Sequence, residues 1–171
     1  MGNVKKLPFS DGYFIGYWSC GVIEHFYEGY ESIATEMSRV INENGYLFLV
    51  FPYMSILRRI KASLGYYPIW RSESPLNFYQ FALNANTVIE SFKKNSFRLI
   101  KSIPIEGIKG LKTEISSLNS VFQRIYSYKG NNLIIKIFRI GMDMAMAPIT
   151  GHGILLIFKN PPCQILINHI L

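Results

Sequence analysis

The sequence predicts an α/β domain in which helices flank a mostly parallel half sheet, and three observations carry that reading. Helical patterns, with apolar positions three and four residues apart, alternate with short apolar runs, as in chains whose helices cross between parallel strands. A length of 171 residues suits one domain around a single core. A composition of 49% hydrophobic, 15% aromatic and 17% charged residues is too apolar for disorder and too interrupted by charge for a membrane bundle.

The first strand is expected over Phe14–Ser19, an aromatic run between the Ser10-Asp11-Gly12 turn signal and Gly21. A helix follows over Tyr30–Asn42, where Ile33, Met37, Val40 and Ile41 form one stripe, with Glu31 near its start and Arg39 in its last turn. Asn44-Gly45 breaks it, and Tyr46–Phe51, closed by Pro52, reads as a strand covered on both faces. Met54–Leu64 sets Ile56, Leu57, Ile60 and Leu64 against Arg58, Arg59 and Lys61, a short basic amphipathic helix that faces solvent or grips an anionic membrane or phosphorylated substrate. An aromatic connection over Tyr66–Phe81 leads to a helix at Asn84–Lys94, capped by Asn84 or Asn86. Phe97–Ile105 and Gly153–Phe158 read as the remaining strands, with helical segments between them at Leu111–Tyr128 and Asn132–Met146. Gly107-Ile108-Lys109-Gly110 has the spacing of a nucleic-acid clamp without its helix pair, and is expected to be a plain loop.

No apolar run reaches the length of a membrane span; Leu133–Met146 carries Lys136, Arg139 and Asp143, and the amino terminus has no signal-peptide core. Cys20 and Cys163 have neither disulfide-framework nor zinc spacing, and His152 and His169 lack partners at metal-ligand spacing, so a cytoplasmic, metal-free protein is expected. The net charge of +7 is uneven: residues 1–50 hold three basic and six acidic residues, the rest fifteen and five. Charge of this kind bears on encounter rates more than on function, and nucleic acid is not the expected partner.

Three ordered motifs add a family resemblance. Leu7-Pro8-Phe9-Ser10-Asp11-Gly12-Tyr13-Phe14, Gly21-Val22-Ile23-Glu24-His25-Phe26 and Glu36-Met37-Ser38-Arg39-Val40-Ile41-Asn42-Glu43-Asn44-Gly45 together resemble class I S-adenosylmethionine-dependent methyltransferases of the type 11 group, from the fourth strand of that fold to the fifth. Phe78-Tyr79-Gln80-Phe81, Ser96-Phe97 and Gly151-His152-Gly153 resemble its later elements. The resemblance implies a partial Rossmann-like fold with an antiparallel last strand. It also implies the strand order first, second, last, third, with Phe14–Ser19 exposed at the edge. The family's glycine-rich turn and ribose-binding acid have no counterpart, Asn3 stands at its third-strand acid, and Ile15 replaces its usual aspartate. The chain therefore reads as a truncated methyltransferase domain over 1–159 and a tail over 160–171. A shortened gene record, a decayed remnant and one half of a split protein all fit that reading.

By the same resemblance Asn3 and Val4 flank the adenine of S-adenosylmethionine, Cys20 and Gly21 pass near its ribose and sulfur, and His25 faces the methyl acceptor. His25 then acts as a general base, or with Glu24 it orients the loop and caps the next helix. The implied function is methyl transfer to a small molecule, glycan or lipid precursor, with the isolated chain inactive. The alternative is a non-catalytic remnant or interaction module of the same fold. The expected partners are the methyl acceptor and a missing amino-terminal half, or a second copy at the exposed sheet edge.

Overall fold

The computed structural model describes residues 3–68 and 78–162, so Cys163, His169 and most of the expected tail lie outside the described residues. Four strands, β1 (Phe14–Cys20), β2 (Ile41–Pro52), β3 (Arg98–Ile105) and β4 (Gly153–Lys159), form one sheet in the order β1-β2-β4-β3. β1 and β2 are parallel, while β4 runs antiparallel to both β2 and β3. This is the expected half sheet, with Phe14–Cys20 at its edge.

The core lies on one face of the sheet. Leu47, Leu49 and Phe51 of β2 alternate inward beside Ile154, Leu156 and Phe158 of β4, and are met by α1 (Glu31–Val40) and α3 (Ala85–Lys94) through Ile33, Met37, Val40, Val88 and Phe92. Each such side chain taken out of water contributes roughly 1.5–3 kcal/mol. The expectation that both faces of Tyr46–Phe51 are covered is corrected: Tyr46 and Phe48 point the other way, and Trp18, stacked on Phe48 at 5.5 Å, is 63% exposed. An unbroken apolar run cannot report which of its alternating sets is sealed.

α1 ends at Val40, and Ile41, expected as its last apolar position, is already extended and pairs with Phe14. The Leu7–Asp11 motif is strapped to this helix. The Leu7 N–H donates to Glu36 Oε1 at 2.6 Å, and Arg39 reaches Glu36, Asp11 and the carbonyls of Leu7 and Phe9. Hydrogen bonds from Arg39 and from the Leu7 N–H hold the Glu36 carboxyl down to about 2.

α2 (Ile56–Ser63) is capped by Ser55, and α3 by Asn84 rather than Asn86. The region between β3 and β4 differs most from expectation. Gly107–Gly110 opens helix α4 (Gly107–Glu114) instead of forming a loop, because α6 (Leu133–Thr150) crosses against it too closely for side chains. A Cβ at Gly110 would lie 1.6 Å from the Thr150 carbonyl oxygen. Leu111–Tyr128 divides between α4, a 3₁₀ turn at Ser116–Leu118 and α5 (Asn119–Tyr126). Asn160 is tied into the fold, its amide donating to the Ile41 carbonyl at 2.9 Å.

Candidate functional site

In an open sheet with parallel strands, ligands are met by the loops at the strands' carboxyl ends. Here that end is formed by the segment after β1 and the chain around Tyr53. Gly21 leaves β1 with φ +68, a conformation open to glycine at little cost, and its N–H donates to the Val50 carbonyl at 3.0 Å. The 3₁₀ turn Ile23–His25 follows, and the Phe81 N–H fastens it by donating to the Glu24 carbonyl at 3.0 Å.

His25 lies exposed on this turn, its Nδ1 2.7 Å from the Tyr79 carbonyl oxygen and its ring edge-on to Tyr79 at 5.1 Å. A carbonyl oxygen only accepts, so Nδ1 carries the ring proton, and the neutral ring keeps its lone pair on Nε2. Tyr27, Phe78 and Phe81 cluster next to the turn in edge-on and tilted contacts with centroids 4.6–5.2 Å apart, an aromatic wall against it. This arrangement can accept a proton from a bound hydroxyl or amine.

Glu24 does not face solvent beside His25. It is 2% exposed, and its Oε2 and the buried Ser19 Oγ have no hydrogen-bond partner among the described residues. Burial pushes the Glu24 carboxyl above its ordinary value. No caps or pattern in the sequence signal this, because an acid next to a histidine reads as surface.

The other candidate residues lie close by. Asn3 and Lys6 close a turn in which Asn3 Oδ1 accepts from the Lys5 N–H at 3.0 Å, and Lys5 Nζ sits 5.2 Å from the Phe26 ring, so this turn and the β1 loop are side by side. Val4 packs against the core, while Cys20 is exposed at the end of β1. The structure thus brings Asn3, Val4, Cys20, Gly21 and His25 to one end of the sheet.

A second polar cluster, unseen in the sequence, joins α2, α4 and the start of β4. Arg58 donates to Glu114 at 2.7 Å, to the carbonyls of Tyr53 and His152, and to His152 Nδ1 at 2.9 Å; Lys61 and Tyr67 also donate to Glu114. Burial alone would raise the Glu114 carboxyl, but hydrogen bonds from Lys61, Tyr67 and Arg58 outweigh it and hold the group near 2. Burial, Lys109 and Arg58 push His152 down to about 4, so its ring is neutral and accepts from Arg58 within this cluster. Arg58 and Lys61 of α2 therefore point inward, which corrects the reading of this basic side as a solvated face, while Arg59 stays exposed with Ile56, Ile60 and Leu64. Among the described residues no metal-binding cluster occurs. A cavity of 1040 Å³ bounded by Gly12, Arg39, Asn42 and Arg98 lies at the opposite, amino end of β1 and β2, away from His25.

Comparison with known proteins agrees with this geometry. The chain has the fold of class I methyltransferases. It resembles a SAM-dependent methyltransferase from Methanosarcina mazei (TM-score 0.55, 13% identity, covering 93% of this chain and 65% of that one). It is also similar to a methyltransferase structure from Bacillus halodurans (0.51, 15%, 94% and 76%) and to the Haloferax volcanii protein in complex with the Trm112 methyltransferase activator (0.53, 12%, 94% and 60%). Residues 1–49 match the family model described as a methyltransferase domain, which places the resemblance in the type 11 group. No curated protein matches the sequence. The chain spans 60% of the length of the Haloferax protein and 65% of that of the Methanosarcina one.

That family implies S-adenosylmethionine as cofactor, and the described residues fit it only in part. Gly21 allows close backbone approach. The Gly21 N–H is committed to Val50 and Asn3 Oδ1 to Lys5, while the unpartnered oxygens of Ser19 and Glu24 are sealed from solvent. The backbone donor of Gly21 and the side-chain acceptor of Asn3 are therefore already engaged within the chain.

Proposed function

We propose that this chain forms the acceptor side of an S-adenosylmethionine-dependent methyltransferase acting on a small molecule, glycan or lipid precursor. On this reading Asn3, Val4, Cys20 and Gly21 form one wall of the cofactor site, and His25 is the base that takes the acceptor's proton. The observation that carries the proposal is the fixed imidazole. Tyr79 holds Nδ1, which leaves Nε2 as the accepting atom beside an aromatic wall at the carboxyl end of a parallel strand. Methyl transfer from a sulfonium is a direct displacement, so the protein's work is to align the acceptor, exclude water and receive a proton.

The charged methionine end needs polar partners to leave water. We assign these to a polypeptide segment pairing with the open edge of β1, and we expect the 171-residue chain alone to bind the cofactor weakly and to be inactive. A protein activator, as in the Haloferax complex, is another source of such support. A non-catalytic module of the same fold is the second reading, favoured by the commitment of Asn3 Oδ1 to its own turn.

The test is methyl transfer from radiolabelled cofactor by this chain joined to a strand and glycine-rich turn, comparing wild type with H25A. General-base assistance is worth about 100- to 10,000-fold, so H25A should lower the rate at saturating cofactor at least that much, with cofactor affinity unchanged. A drop of less than about threefold would leave His25 an orienting role only.

A further inference from the structure

The α5–α6 hairpin exposes apolar side chains where a soluble surface would carry polar ones. Ile134 is 77% exposed and Phe138 65%, and Leu133, Ile137, Met144 and Val121 are also more than half exposed. Lys136 and Arg139, on the same helix, are less exposed than these apolar neighbours. Arg139 donates to the Tyr126 and Tyr128 carbonyls at the end of α5, which fastens the two helices together. Residues 115–142 contain four cations, Arg124, Lys129, Lys136 and Arg139, and no acid. None of the four forms an ion pair among the described residues. The nearest acids are committed: Asp143 Oδ1 accepts from the Ile108 N–H at 2.9 Å, and Glu114 is held by Arg58 and Lys61.

We infer that this hairpin docks on the surface of an anionic lipid bilayer, with Ile134, Ile137 and Phe138 entering the headgroup boundary and the exposed Arg124 and Lys129 meeting lipid phosphates. An exposed apolar helix face on a hairpin that also carries exposed, unpaired cations is the pattern of a segment that lies in the interface. No described helix is long and apolar enough to cross the membrane, so the contact is peripheral. Charge selects this occupant over a second copy of the chain, since two such faces would set four cations against four. Nucleic acid would use the cations but leave the most exposed residues, the aliphatic ones, without a role.

The test is flotation of the full chain with vesicles of phosphatidylcholine alone and of phosphatidylcholine with one third phosphatidylserine. Wild type should float with the anionic vesicles and stay largely unbound with the neutral ones. R124Q/K129Q should weaken anionic binding about 25-fold, near fivefold per cation, and I134S/F138S by about tenfold or more. The substituted side chains are largely exposed or make no tertiary ion pair, and circular dichroism checks that each variant keeps its fold. Wild type unbound to anionic vesicles would overturn the inference. So would I134S/F138S binding as wild type does, which marks simple charge attraction, or a dimer in sedimentation velocity that I134S/F138S abolishes. The assay contains neither cofactor nor acceptor, so its outcome is independent of the role of His25.

Discussion

Replacing Glu114 by glutamine removes the one carboxylate that, among the described residues, neutralises Arg58 and Lys61, while keeping the side chain's size. Both ends of the Arg58–Glu114 pair are 8% exposed, so little solvent screens it. The folded protein holds the Glu114 carboxyl near 2 against an ordinary 4.5. A carboxyl depressed by folding stabilises the protein above its unfolded value, and that stability is lost as pH falls from about 4.5 through about 2. At pH 7 the difference amounts to about 3 kcal/mol, and at pH 3 about 1.5 kcal/mol remains. Urea unfolding of wild type and E114Q, followed by circular dichroism at both pH values, reads these numbers directly. A loss below about 1 kcal/mol at pH 7, or one that does not shrink at pH 3, would refute the assignment of Glu114 as the hub of this cluster.

Other substitutions probe the rest of the structure. G110A should destabilise by about 3 kcal/mol or more, since its Cβ would meet the Thr150 carbonyl, whereas G141A, with nothing within 4 Å, should stabilise α6 by up to about 1 kcal/mol in the same unfolding assay. E24Q should be more stable than wild type at pH 7 and lose that advantage near pH 4, because a carboxyl raised by burial costs stability as pH rises past its unfolded value; thermal melts across this range test the direction. R39A should free the Leu7–Asp11 strap and speed hydrogen exchange at the Leu7 and Gly12 amides, while the amides of β4 stay protected.

Strands and helices were legible where periodicity is unambiguous. The stripe of Ile33, Met37 and Val40 reports α1, and the family resemblance supplied the sheet order that no local pattern contains. Ile41 was not assignable, because a buried residue at a helix end and one at a strand start look alike in sequence. The three-residue glycine spacing at 107–110 looked like a loop, yet it is a crossing point whose cause, α6, lies some thirty-five residues away. α2 was read inside out for a similar reason. Arg58 and Lys61 are drawn inward by Glu114 across a separation that no window covers. At the site, Gly21 and His25 were visible as a turn and a titratable group, but the tautomer of His25 depends on Tyr79 and the burial of Glu24 on packing around it.

The most direct test of the acceptor-side account is calorimetric titration of S-adenosylmethionine into the purified 171-residue chain. With the Gly21 N–H and Asn3 Oδ1 already committed, binding should be weaker than about 100 μM, which is less than about 5.5 kcal/mol. A dissociation constant near 1 μM, about 8 kcal/mol, would mean that this chain already supplies the partners for the methionine and ribose ends, and would contradict it.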